Sequence, residues 1–187
     1  MKFKQDTLIY HLKPAGFYFL EQPGVIRTVL GSCVTVTMFC RRTGMASACH
    51  PVLPACRENK ACYFAGCRKK YKYVECVIPE MARLLKKSGV AMEELEVKLF
   101  GGSEMITKNN AHAQVIQVGR MNAEMAMKKL TALGIQVKSY DIGGTLGRRL
   151  FFDTSTGDVW VKRLTKQAVS IFESKDIQKQ TLMQRDG

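Results

Sequence analysis

The sequence predicts one mixed α/β domain. Three observations lead there. The chain has 187 residues, enough for a single domain with a sizeable core. Its 46% apolar and 24% charged residues are the balance of a globular chain, not a disordered one. Strand-like and helix-like patterns follow one another in the order β-β-β-α-β-α-β-β-β, with no internal repeat and no low-complexity linker.

Each element has its own signal. "GVIRTVL" (residues 24–30) and "CVTVTMFC" (33–40) are rich in β-branched residues and read as two strands around a Gly31-Ser32 turn. "RRTG" (41–44) is a turn, and "MASACHPVLP" (45–54) is a short extended piece ended by Pro51 and Pro54. Residues 55–70 lack periodicity and read as a long surface loop. Apolar residues at 74, 77, 78, 81, 84 and 85 follow helical spacing until Gly89, with a kink or a late start expected at Pro79. "ELEVKLFGG" (94–102) alternates as a strand and runs into a Gly-Gly turn. Residues 120–133 form a second helix closed by Gly134. "GIQVKSYDIGG", "RRLFFDTSTG" and "DVWVKRL" are three further strands, the last two joined by a turn at Ser155, Thr156 and Gly157. The whole chain, 1–187, is expected to form the domain, with a polar, mobile tail over about 172–187.

Composition narrows the function classes. No apolar run reaches about 18 residues, so no membrane-spanning helix and no membrane insertion are expected. Residues 1–16 lack a continuous apolar core and a small-residue cleavage site, so no signal peptide is expected and a cytoplasmic location is the expectation. The seven cysteines are odd in number and cluster between Cys33 and Cys76, which fits reduced thiols better than a disulfide framework. A net charge of +13 implies an acidic partner without identifying it. Only "CRKKYKY" (67–73) interleaves basic and aromatic residues densely, and taken alone it reads better as a solvated loop or helix start than as a binding patch.

The chemistry centres on Cys33 and His50. A cysteine nucleophile needs a base or a lowered pKa, and access to substrate. The Gly31-Ser32-Cys33 turn presents the thiol at an element end, and its amide N–H groups can face a developing oxyanion. If residues 33–40 and 45–50 pair across the 41–44 turn, His50 returns beside Cys33. A hydroxyl can then hold the imidazole in its useful tautomer, and Thr28 on the preceding strand is the candidate. Three other readings compete: a buried core thiol, a structural histidine beside proline, and a strand threonine. A metal site would use Cys49, His50, Cys56, Cys62 and Cys67, whose gaps lack the short knuckle spacing of structural zinc sites, so no metal is expected. "FGGSEM" and "DIGGTLGRR" lack the Gly-Lys-Ser/Thr and G-x-G-x-x-G patterns, so nucleotide binding has little support.

Several stretches together resemble the CheD family, the chemoreceptor glutamine deamidases of bacterial chemotaxis. They are "PGVIRTVLGSCVTVTMF", "TGMA" with "HPVLP", "KLFGGSEM", "QVGRMNAEMAMKKLTALGIQV" and "YDIGGTLGRRLFFDTSTGDVWV", running from Pro23 to about Val161. The resemblance implies mixed β-sheets packed as a sandwich with flanking helices, an α+β arrangement similar to cysteine hydrolases. It implies a Cys–His–Thr site of Cys33, His50 and Thr28, with Gly31 and Ser32 supporting the turn and no metal or organic cofactor. Methyl-accepting chemotaxis receptors are the implied substrates, and a CheC-type phosphatase is a further implied partner. Two spacings differ from the family pattern. Ser47, Ala48 and Cys49 intervene between Met-Ala and His50, which asks for a bulge or a longer turn there. The step from Thr28 to Cys33 is one residue short, which brings in Thr35 and Ser32 as other candidate hydroxyls. Two alternatives from other classes are a non-catalytic CheD-like binding protein for a CheC-type phosphatase or receptor, and a basic nucleic-acid-binding module; no nucleic acid is expected as a partner.

Overall fold

The computed structural model describes residues 7–56, 67, 69–104 and 117–164. Among these residues nine strands and two α-helices follow one another as β1 (Ile9–His11), β2 (Phe17–Leu20), β3 (Val25–Leu30), β4 (Val34–Cys40), β5 (Ala46–Cys49), α1 (Val74–Lys87), β6 (Leu95–Gly101), α2 (Val118–Ala132), β7 (Val137–Ile142), β8 (Gly147–Asp153) and β9 (Val159–Leu164). They form a four-stranded sheet of order β1-β3-β8-β9 and a five-stranded sheet of order β2-β5-β4-β6-β7. The architecture is the mixed-sheet sandwich with flanking helices that the sequence led us to expect.

The layers follow from the side-chain alternation of β4, whose seven residues are all buried. Val34, Val36, Met38 and Cys40 pack with α1 and α2 in one apolar cluster. Phe39, on the opposite face of the strand, packs with Ile26, Leu30, Leu150 and Phe152 of the other sheet. The five-stranded sheet is therefore the middle layer, covered by helices on one face and by the four-stranded sheet on the other. A strand buried on both faces reads as a continuous apolar run, which explains "CVTVTMFC".

Three expectations change. β1 and β2 have no counterpart in the predicted pattern: one has three residues, and the other, "FYFL", is a half-buried aromatic run without alternation. β3 and β4 do not pair with each other; β3 pairs with β1 and β8, and β4 with β5 and β6, so the Gly31-Ser32 turn carries the chain from one sheet to the other. Helix α1 begins at Val74 and continues through Pro79, so there is no late start at the proline. Much of the loop predicted over 55–70, and all of the tail over 172–187, lies outside the described residues.

Candidate active site

Cys33 stands at the corner between the sheets, half-buried, directly before β4. Three main-chain carbonyls of this corner are held from behind. Gly31 O accepts from Ser103 N–H at 2.9 Å and Cys33 O from Gly102 N–H at 2.8 Å. Ser32 O accepts from the Asn122 side chain at 3.0 Å. In a planar trans peptide the N–H points opposite to the C=O, so the Ser32 and Cys33 amides are turned away from these partners. Gly102 and Ser103 thus brace the corner. A Cβ on Gly101, whose φ is +107°, would lie 2.2 Å from the Cys33 carbonyl oxygen, so only glycine fits.

His50 follows β5. The β4–β5 pairs Thr37–Ala48 and Phe39–Ala46 point into the space between the sheets, where both alanines are buried with Phe39. Continuing that register, with Val34 N–H donating to Pro51 O at 3.4 Å, sets His50 across from Thr35. Cys33 lies two residues further along β4 on the same face, the diagonal position of a cross-strand pair. Cys33 also packs against the cluster between the sheets. The intervening Ser47, Ala48 and Cys49 belong to strand β5: all three pair with β2, and Ser47 and Ala48 also pair with β4, with no register shift in either ladder.

Thr28 comes from the opposite sheet. In β3 it shares its inward face with Ile26 and Leu30. Its hydroxyl donates to Leu12 O at 2.7 Å, and its oxygen is 2.8 Å from His50 Nδ1. The one hydroxyl hydrogen is committed to Leu12, so Thr28 accepts from His50 Nδ1–H. Leu12 O, 3.5 Å from Nδ1, is likewise an acceptor. The Nδ1 proton is fixed by these partners, and the Nε2 lone pair is left for chemistry. His50 is only 2% exposed, and burial lowers its pKa to about 4, against a smaller opposing effect of the Leu12 carbonyl. The ring is therefore neutral at neutral pH, with Nε2 unprotonated.

The other candidates separate cleanly. Thr35 is buried and its hydroxyl oxygen has no hydrogen-bond partner among the described residues, so it does not orient His50, which is one of them. Ser32 meets Asn122 through its carbonyl. Cys49 precedes His50 but faces the helices, and burial pushes its thiol up to about 12. Cys76 is pushed up to about 11 by burial, with Glu75, Cys56 and Cys67 adding to the effect. Among the described residues no group of three or more His, Cys, Asp or Glu is arranged to hold a metal ion, and Cys62 lies outside those residues. Asn122 is absent from the residues that spacing singled out. Its signal was a polar residue in the apolar stripe of α2, beside Gly119, Ala123, Ala126 and Leu130.

Comparison with known proteins adds to this geometry. A family model described as CheD chemotactic sensory transduction matches residues 58–163. The chain is 40% identical over 156 residues to a probable chemoreceptor glutamine deamidase CheD 2 of Geobacter sulfurreducens, covering 83% of this chain and 90% of that one. It is 37% identical over 167 residues to a probable chemoreceptor glutamine deamidase CheD of Maridesulfovibrio salexigens, covering 87% and 96%. A similarly named protein of Thermococcus kodakarensis is 32% identical over 150 residues, covering 80% and 89%. With its two-sheet sandwich and these matches over most of its length, the chain belongs to the CheD family.

Proposed function

We propose that this protein is a chemoreceptor glutamine deamidase, a cysteine amidohydrolase that converts receptor glutamine side chains to glutamate, working as one domain in the cytoplasm. The observation that carries the reading is the buried Thr28–His50 hydrogen bond on the face that Cys33 shares. The names of the relatives agree with it.

The steps follow from the proton positions. His50 Nε2 takes the Cys33 thiol proton as sulfur attacks the side-chain amide carbon of the glutamine. The C–S bond forms, and the carbonyl oxygen becomes an oxyanion beside the amides of the Ser32–Cys33 corner. The intermediate collapses, the C–N bond breaks, and ammonia leaves with the proton from His50. Water then loses a proton to Nε2 and attacks the thioester, releasing glutamate and restoring the thiol. Throughout, Thr28 keeps the ring oriented through Nδ1–H. These steps need only the protein's own side chains and water.

The net charge of +13 supports a substrate rich in Glu and Gln, because a basic enzyme draws an acidic segment toward it. Among the described residues no helix is long and apolar enough to cross a membrane. The family reading adds a CheC-type phosphatase as a second partner. The test is ammonia release from a glutamine-bearing receptor fragment. Cys33→Ala should fold and release none, whereas replacing Cys56, Cys67 or Cys76 by alanine should leave release within about twofold of the parent. Substantial release by Cys33→Ala would end the nucleophile assignment.

A further inference from the structure

The side chain of Asn122 takes no part in the steps above, yet it touches the segments carrying both the nucleophile and the base. It is fully buried in the inward stripe of α2. Its Nδ2 donates to Ser32 O at 3.0 Å and to Val52 O at 3.1 Å. Ser32 immediately precedes the nucleophile, and Val52 lies two residues after the base. Both partners are carbonyls, which only accept, so the amide group has one permissible orientation. Its Oδ1 is then buried with no hydrogen-bond partner among the described residues. A buried orphan acceptor costs about 1–3 kcal/mol. An apolar residue would fill the stripe without that cost; what the asparagine adds is the pair of donors.

We propose that Asn122 is a positioning residue for deamidation: one rigid amide group grips the Ser32 and Val52 carbonyls and so sets the placement of Cys33 relative to His50. Beyond the last paired residues of β4 and β5, the long 3.4 Å bond from Val34 N–H to Pro51 O ties the two segments, and Asn122 supplies two shorter bonds. Its grip on Ser32 O also fixes the plane of the Ser32–Cys33 peptide, and with it the direction of the Cys33 amide. Misplacing reacting groups by about 1 Å can cost on the order of 100-fold in rate, so a small slackening here is enough to matter. The inference rests on the Cys33–His50 reading of the site.

The test uses Asn122→Ala, which removes both donors, and Asn122→Asp, which keeps the shape but sets acceptors against both carbonyls. In the full-length protein each should lower kcat for ammonia release about 10- to 100-fold with KM within about twofold. Alkylation of Cys33 by iodoacetamide at pH 7 supplies a second readout. Asn122→Ala should slow it, and Asn122→Ala in a His50→Ala background should slow it no further than His50→Ala alone. Parent-like kcat in a folded Asn122→Ala protein would overturn the inference, as would additive effects on alkylation. Failure of both variants to fold would also overturn it, by making Asn122 a structural bolt. If His50→Ala itself left ammonia release and alkylation unchanged, the reading of the site would fall, and the inference with it.

Discussion

The Thr28 hydroxyl of one sheet meets the ring of His50, which follows a strand of the other, at 2.8 Å. Thr28→Val keeps the shape but removes the acceptor from His50 Nδ1–H, leaving only the 3.5 Å contact to Leu12 O. We expect kcat to fall about 10- to 100-fold, KM to stay within about twofold, and Thr28→Ser to retain most of the rate. Steady-state ammonia release measures all three, and parent-like kcat in Thr28→Val would remove Thr28 from the mechanism. The pH profile belongs to the same scale. Because burial lowers the His50 pKa to about 4, the acid limb of kcat/KM, which reports the free enzyme, should lie near there; a limb near 6.5 would mean that the working ring is solvated. Cys33, His50 and Thr28 were candidates in the sequence because a cysteine in a small-residue turn, a histidine returning from a hairpin and a hydroxyl one strand earlier match the family pattern, and the fold brings the Thr28 hydroxyl within 2.8 Å of His50 Nδ1. Asn122 was not, because its partners are main-chain carbonyls 90 and 70 residues away in sequence.

Elements place these residues, and the Gly-Gly corner after β6 is the most constrained of them. Gly101→Ala would push a methyl against the Cys33 carbonyl oxygen at a φ that side chains rarely adopt. We expect a loss of roughly 2 kcal/mol or more in urea unfolding, and a drop in kcat greater than the unfolded fraction explains. An alanine variant of parent stability and rate would show that the corner has slack. Periodicity recovered seven of the strands and both helices because each carries a strong alternating, continuous or helical pattern. It missed β1 and β2 because their pattern is short and only partly buried. The omission bears on function: the residue after β1 supplies the Leu12 carbonyl that orients Thr28, and β2 holds the outer edge of β5. It also missed that β3 and β4 lie in different sheets, since a turn between two strand patterns looks the same whether the strands pair or part.

For the whole molecule, the buried neutral histidine links the site to stability in acid. The His50 pKa is about 4 when folded and 6.5 when unfolded, so between those values the unfolded chain binds more protons. Stability is then level above about pH 6.5 and falls as pH drops toward 4, by ~1.4 kcal/mol per unit at most and ~3 kcal/mol in all. Glu80 acts in a lower window. Hydrogen bonds from Arg83 and Lys70 hold its carboxyl near 2, below the usual 4.5, so its contribution is complete above about pH 4.5 and is lost only as pH falls through about 2. The two windows barely overlap, so they can be measured apart. Urea unfolding of the parent should weaken markedly from pH 7 to pH 4.5, whereas His50→Gln should be nearly flat over that range and should join the parent's decline only below it. Equal slopes in the two proteins between pH 7 and 4.5 would mean that His50 can be protonated without cost in the fold. The ring would then not be the neutral, buried base from which the deamidation mechanism starts.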